Sequence, residues 1–126
     1  MQTNTETHEI RTITLTSRPP VQIRDGQWPL IAHAYWHDGQ VECQANRKGW
    51  LRVRQHADGR TIVYGGYDSS WPKEPDLRGG ELLIPLDGER VIDGRALAAA
   101  VHRVATSVHC EQIAEECIAD LPAEVI

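Results

Sequence analysis

The dipeptide Asp-Gly occurs five times in this chain of 126 residues, and it constrains the fold more than any other feature. Asp-Gly between two segments in which apolar and polar residues alternate predicts a hairpin. A type I′ turn needs positive φ at both of its central residues, and Asp-Gly is one of the pairs that adopt it readily. The first four copies are flanked by strand-like residues, whereas the fifth precedes a helical pattern. The five copies lie at 25–26, 38–39, 58–59, 87–88 and 93–94. The sequence therefore predicts strands joined by hairpins and followed by helices.

The turn at 38–39 predicts a pairing register for its two strands. A two-residue loop there pairs Ala34 with Cys43 on an apolar face and His33 with Gln44 on a polar face. A slip of one residue would mix the two faces, so this clean division supports the assignment.

The turn at 58–59 predicts a second hairpin, whose register decides which large side chains meet. A two-residue loop pairs Trp50 with Tyr67. Side chains two apart along a strand point to the same side, so Arg52 and Arg54 share the face of Trp50. We therefore expect all four side chains on one face of the sheet.

Three further stretches complete the predicted β region. Residues 11–16 are rich in β-branched side chains, and polar and apolar residues alternate among them, so they predict a strand. Residues 68–80 contain two prolines and two glycines and predict a loop. Residues 82–86 and 90–92 predict a last short hairpin around the fourth Asp-Gly.

From Asp93 onward the apolar period changes from that of a strand to that of a helix. Apolar residues recur at spacings of four, three and four, at Leu97, Val101, Val104 and Val108. Asp93 is a favourable N-cap for this helix. A second helix is predicted over 111–120, because its apolar residues fall on one side and Pro122 follows it.

Together these elements predict the fold class and the domain organisation. We expect an α+β protein: an antiparallel sheet of four to six strands built from hairpins, then two C-terminal helices packed on one face. Hydrophobic residues make up 40% and charged residues 25% of the chain, as in ordinary globular domains. Residues 1–10 are polar and predict a disordered N-terminal tail, and residues 11–126 a single domain.

No residue pattern predicts a metal site or a cofactor. Cys43, Cys110 and Cys117 make an odd count that indicates reduced thiols, and their spacing matches none of the usual zinc sites. Cys110 begins a predicted helix, where a thiol pKa is lowered, so it is the one candidate for a reactive thiol and nucleophile; the favoured alternative is that it simply begins the helix.

The histidines His33, His37 and His56 are the candidate general bases. Neither they nor the cysteines form a recognised catalytic motif, so no catalytic residue is predicted. We predict a non-enzymatic protein, with a small hydrolase or transferase as the alternative.

Basic and aromatic residues alternate along segment 47–60 and predict a contact surface. The members of this surface in segment 47–60 are Arg47, Lys48, Trp50, Arg52 and Arg54. Tyr67, which is expected opposite Trp50, completes it. Tryptophan, tyrosine and arginine are the favoured anchors of protein interfaces, and the same mixture on a sheet binds single-stranded nucleic acid. The third interpretation is a solvated face on which arginine stems cover the tryptophan. The net charge of −5 weighs against nucleic acid.

The C-terminal stretch has the opposite charge. Residues 110–126 hold five acidic residues and no lysine or arginine, and four of them belong to the second predicted helix: Glu111, Glu115, Glu116 and Asp120. Such a helix could bind a basic partner, or imitate phosphates towards a nucleic-acid-binding complex. Its alternative is an ordinary solvated helix face.

Three stretches carry a resemblance to a known group: LTSRPPVQI, QANRKGWLRVRQHADGRTIVYG and CIADLPAE. Across residues 13–124 the chain resembles uncharacterised small accessory proteins of proteobacterial mobile elements and phages. The resemblance implies no catalytic motif. It implies an accessory protein, such as an anti-CRISPR-like inhibitor of a bacterial host defence complex.

The expected setting is cytoplasmic, because the polar start MQTNTETHEI has no apolar region of a signal peptide. No apolar run approaches the length of a membrane span, so we expect no membrane association. We expect a protein partner, with nucleic acid as the alternative. The sequence does not determine the oligomeric state, but the exposed edge of the strand at 11–16 could pair with a second copy to form a homodimer.

Overall fold

The computed structural model describes residues 9–122, and these form an α+β fold as predicted. Six strands precede two helices. The strands are β1 (Ile10–Ile13), β2 (Val21–Arg24), β3 (Leu30–His37), β4 (Arg47–Gln55), β5 (Thr61–Ser69) and β6 (Leu77–Leu83). The helices are α1 (Gly94–Ser107) and α2 (Ala114–Ala119). Of the predicted tail at 1–10, residues 1–8 lie outside the described residues, and Ile10 already belongs to β1.

The six strands divide between two antiparallel sheets. β1 pairs with β2 in a two-stranded sheet, and β3, β4, β5 and β6 follow one another as neighbours in a four-stranded sheet. Each strand of the larger sheet is thus beside the one before it in sequence, which is the topology that hairpins produce.

Both helices pack on one face of the four-stranded sheet. Leu51 and Val53 of β4 and Val63 of β5 are fully buried against them. The predicted apolar stripe of α1 is confirmed, because Leu97, Val101, Val104 and Val108 all belong to this core. A second core lies on the other face of the sheet and contains Ile13, Leu15, Ile23, Trp28, Ile62 and Tyr64.

The helix starts are less regular than predicted. α1 begins at Gly94 after Asp93, but the Asp93 side chain makes no capping hydrogen bond within the described chain; its backbone oxygen accepts from Leu97 N. The predicted helix over 111–120 starts as a 3-10 turn at Glu111–Ile113, and only Ala114–Ala119 is α-helical.

The predicted register at 38–39 is wrong. Strand β4 begins only at Arg47, and Ala34 lies opposite Leu51 instead of Cys43. The Asp38 carboxylate accepts hydrogen bonds from the backbone N–H groups of Asn46 (2.8 Å) and Arg47 (3.1 Å), so it closes a long loop and does not form a two-residue turn. Side-chain acceptors of this kind compete with tight turns.

The hairpin at 58–59 exists, but its register differs by one residue. His56 N donates to Arg60 O (2.8 Å), which encloses three loop residues instead of two. Gly59 supplies the positive φ of +94° that a three-residue loop with a bulge requires. As a consequence Trp50 lies opposite Gly66, not Tyr67.

Two further predictions of loops and strands are corrected. The segment predicted as a loop over 68–80 contains the start of β6 at Leu77, and Gly65 of β5 pairs with Gly79. Within the described residues, 84–92 forms no hairpin. The turn at 25–26 connects β2 to β3, which belong to different sheets.

Candidate functional site

Strand β4 divides its side chains between the two faces of the sheet. Leu51 and Val53 point to the helices, so Trp50, Arg52 and Arg54 point to the opposite side. We call this opposite side of the four-stranded sheet the outer face. The prediction that these three side chains share one face is therefore confirmed.

Arg54 lies at the covered end of the outer face, beneath the β1–β2 sheet. Its Nε donates to the hydroxyl of Tyr64 (2.9 Å), and its Nη1 donates to the backbone oxygen of Trp28 (3.0 Å). Nη1 also lies 3.7 Å from Asp25, which pairs with Arg11 and whose pKa that pairing lowers. Only 12% of the Arg54 side chain is exposed. Arg54 therefore joins the four-stranded sheet to segment 25–28, which follows β2, and is not available to a partner.

Trp50 lies at the open end of the outer face, where its ring covers Gly66. A Cβ atom added to Gly66 would come within 2.3 Å of Trp50 Cζ2, so the ring depends on a residue without a side chain. The guanidinium of Arg78 lies 4.7 Å and that of Arg52 5.8 Å from the ring centroid, both within the range of a cation–π interaction.

Tyr35 extends this surface from the neighbouring strand. It is the register partner of Trp50, and 40% of its surface is exposed. Directly opposed residues of an antiparallel pair present their side chains on the same face. We call Tyr35, Trp50, Arg52 and Arg78 the Trp50 platform.

Arg78 is fixed in place, whereas Arg52 is not. The Arg78 guanidinium donates to the Asp68 carboxylate (2.8 Å) and to its neighbour's backbone oxygen at Leu77 (2.7 Å). The half-buried Arg52 has its guanidinium over the Trp50 ring, and within residues 9–122 it forms no hydrogen bond or ion pair. One cation of the platform is thus preorganised, and the other has no ion-pair partner among the described residues.

Tyr67 does not belong to the platform, contrary to the prediction. The one-residue change of register turns it to the helix side, where its ring centroid lies 6.2 Å from those of Trp36 and His109. Its hydroxyl donates to Glu74. The sequence pattern could not show this, because the length of the loop before β5 sets the register.

Arg47 is also committed to an internal contact. It donates two hydrogen bonds to the Glu74 carboxylate, at 2.9 and 3.1 Å, and lies 5.9 Å from the Trp71 ring. The hydrogen bonds from Arg47, Tyr67 and Ser69 lower the pKa of Glu74 to about 2. This cluster attaches the segment 70–76 to the end of the sheet, so Arg47 is a structural residue.

Lys48 remains on the outer face beside the platform. It lies opposite His37, and its Nζ is 3.7 Å from a Glu42 carboxylate oxygen. Burial and the Glu42 carboxylate raise the pKa of Tyr35. Glu42 thus reduces the positive charge at this border of the platform.

The four predicted acidic residues are exposed but lie away from the platform. They belong to the last turns of the chain, on the side of the sheet that the helices cover: Glu111, Glu115, Glu116 and Asp120. Glu115 lies 3.0 Å from His102 Nε2, and Asp120 accepts the backbone N–H of His33 at 2.9 Å. The basic and the acidic residues therefore form two separate surfaces.

Of the two interpretations of Cys110, its burial contradicts the reactive thiol and fits the residue that only begins the turn. Its residue is completely buried, and burial raises the pKa of its thiol. A Cβ on Gly49 would come within 2.6 Å of Cys110 Sγ, which shows how closely the sheet covers the sulfur. Cys117 is equally buried, with its pKa raised to about 11, whereas Cys43 is exposed.

The candidate bases are dispersed. His33 and His37 lie on the edge strand β3, whereas His56 directly follows β4, with its Nδ1 3.1 Å from Asp58. Within residues 9–122, no three histidine, cysteine or acidic side chains are grouped so that they could hold a metal ion.

Two members of the platform were missed by sequence reasoning. Arg78 lies in the segment 68–80, whose prolines and glycines predicted a loop, and the wrong register at 38–39 did not bring Tyr35 beside Trp50. The glycine pairs at 65–66 and 79–80 were the sequence signal that could have indicated this surface. Gly66 leaves room for an aromatic ring from the neighbouring strand β4.

Comparisons with protein-family models, with curated proteins and with solved structures found no match to this chain. The resemblance to small accessory proteins of mobile elements therefore stays a prediction. No helix in the described part of the chain is long and apolar enough to cross a membrane.

Proposed function

We propose that this protein is a non-enzymatic protein-interaction module whose Trp50 platform binds an acidic surface of a partner protein. The observation that carries the proposal is the arrangement of Trp50 over Gly66, with Arg78 and Arg52 beside its ring. Tryptophan, tyrosine and arginine dominate the binding energy of protein interfaces.

The surroundings of the platform support this assignment. The β1–β2 sheet covers one end of the outer face and leaves the other end open. Arg78 holds its position through Asp68, so little conformational entropy is lost when a partner binds. Arg52, without a carboxylate partner in the described residues, is the cation that an acidic partner would pair.

The identity of the partner is a further part of the proposal. The resemblance to accessory proteins of mobile elements suggests a bacterial host defence complex, which the protein would inhibit in an anti-CRISPR-like manner. The exposed acidic residues near the C-terminus offer such a complex a second, separate contact surface.

Site-specific crosslinking in cells that express the protein tests the platform. A photoreactive residue replaces Tyr35 in one variant and Glu116, on the helix side, in another. We expect crosslinks to one protein from position 35, and their loss when Trp50→Ala or Arg52→Gln is added.

The matched control is Arg103→Gln, which removes one exposed positive charge on α1, where Arg103 pairs with Glu81. It should leave the crosslinks intact. Crosslinks from position 35 that persist in both platform variants, or that appear equally from position 116, would show that the platform is not the contact surface.

Single-stranded nucleic acid is the second candidate partner, because two aromatic side chains and two arginines share an open sheet face. Phosphate contacts make affinity fall steeply as salt rises. Absence of binding to a labelled oligonucleotide at low salt would eliminate this candidate, whereas binding that Arg52→Gln weakens would favour it over the protein partner.

A further inference from the structure

A groove of about 850 Å³ lies at the opposite end of the sheet from segment 70–76. It is bounded by the start of β3, the segment 84–92, the first turn of α1 and the end of α2. Six apolar residues line it: Ile31, Val91, Ile92, Leu97, Leu121 and Pro122. A second cavity of about 510 Å³ shares Ile31, Gln55 and Val91 with it, so the two adjoin.

A β-bulge supplies the central apolar residue of this groove. Leu30 pairs with Arg54 and Ala32 with Val53, so Ile31 is the extra residue that no partner opposes. Bulges redirect a side chain and are frequent beside binding sites. The irregularity of β3 therefore coincides with one of the three residues that both cavities share.

The outer wall of the groove is held in place by a close backbone contact. A Cβ on Gly59 would come within 2.1 Å of the Arg90 backbone oxygen and 2.9 Å of Pro85. The segment 84–92 thus rests directly on the β4–β5 turn. The groove is formed by packed elements, as is usual for ligand sites of this size.

The charged groups of the two adjoining cavities together favour an anion. Arg95 and Asp93 line the larger cavity and offset each other in charge, and Arg90 of the smaller cavity leaves the pair with one net positive charge. Among the described residues, neither arginine forms an ion pair. Gln55 Nε2 donates to Thr61 Oγ1 (3.1 Å), which orients its amide at the junction of the cavities.

We infer that this groove binds an amphipathic carboxylate, a molecule with an unbranched apolar chain and one terminal carboxylate. The chain lies along the apolar wall at Ile31, Val91 and Leu97, and the carboxylate lies towards Arg95 or Arg90. This site is on the helix side and at one end of the sheet, so it is independent of the Trp50 platform.

Titration with straight-chain carboxylates from octanoate to dodecanoate, below their micelle concentrations, tests the inference. Backbone amide signals of Ile31, Val91 and Leu97 should shift saturably in NMR spectra, while that of Trp50 should not. Each methylene added to the chain should tighten binding by up to about fourfold, as burial of apolar surface requires.

Charge variants and charge-matched probes give the controls. Arg95→Glu, at an exposed position, should weaken decanoate binding about fivefold. The effect is modest because an exposed ion pair between Arg95 and the carboxylate contributes little, even though the substitution replaces attraction by repulsion. Lys73→Glu reverses a charge at the other end of the sheet and should leave the affinity unchanged. Decyltrimethylammonium should bind more weakly than decanoate and gain affinity in Arg95→Glu.

Three results would overturn the inference. They are the absence of saturable shifts, shifts that spread over the whole surface, and equal binding of the cationic and the anionic probe. Because Arg95 is exposed, its variant should fold normally, and unchanged NMR signals away from α1 verify this.

Discussion

Arg54 and Arg52 lie two residues apart on the same strand and the same face, yet they should respond very differently to truncation. Arg54→Ala removes hydrogen bonds to the Tyr64 hydroxyl (2.9 Å) and to the Trp28 backbone oxygen (3.0 Å) in a nearly buried site. A hydrogen bond from a charged group contributes about 1.5–3 kcal/mol to stability. For two such bonds, the low end of this range predicts that the free energy of unfolding falls by about 3 kcal/mol.

Arg52→Ala is the matched control. The Arg52 guanidinium lies 5.8 Å from the centroid of an accessible ring and pairs with no carboxylate in the described chain, so its loss should cost less than about 1 kcal/mol. Urea unfolding followed by circular dichroism measures both variants. With a slope of about 2 kcal/mol/M, the Arg54→Ala midpoint should fall by about 1.5 M.

The comparison has a clear refuting result. If Arg52→Ala destabilises the protein as much as Arg54→Ala, then Arg52 is also structural and the division of the outer face into a covered and an open end is wrong. If Arg54→Ala costs less than about 1 kcal/mol, its hydrogen bonds do not stabilise the attachment of segment 25–28 to the four-stranded sheet.

Two further predictions concern titration and thiol reactivity. The pKa of Glu74 is lowered to about 2, so its ion pair with Arg47 should stabilise the fold above pH 4.5, and this contribution should be lost as pH falls from 4.5 towards 2. In Glu74→Gln, the unfolding temperature should therefore depend less on pH in this acidic range. An unchanged dependence would contradict the assignment. In native protein, a thiol reagent should modify Cys43 rapidly and reach Cys110 and Cys117 only after unfolding; modification of a second thiol in the folded state, counted by mass spectrometry, would show that the helix layer opens.

The elements with a local cause were predictable from the sequence. The spacing of Leu97, Val101 and Val104 decides which side of α1 is buried, because a helix repeats every 3.6 residues whatever it packs against. The sharing of one face by Trp50 and Arg52 follows in the same way from the two-residue period of a strand. Both predictions are confirmed.

The composition of the candidate site depended on contacts between strands, which the sequence does not encode locally. Tyr67 and Gly66 are adjacent in sequence, and a single additional loop residue before β5 decides which of them meets Trp50. Because side chains alternate between faces, that one residue moves every side chain of β5 to the other side relative to β4.

The sequence by itself determined that the chain forms hairpins and helices, and which side chains of each element point together, because these properties repeat within a few residues. Only the tertiary structure decided that β1 and β2 leave the main sheet and cover one end of its outer face. That packing turns Arg54 into a largely buried structural residue, whereas Trp50 and Arg52 stay half-buried and Arg78 is exposed. The physical reason is that burial depends on which distant segment covers a face, and residues far apart in the sequence make that choice together.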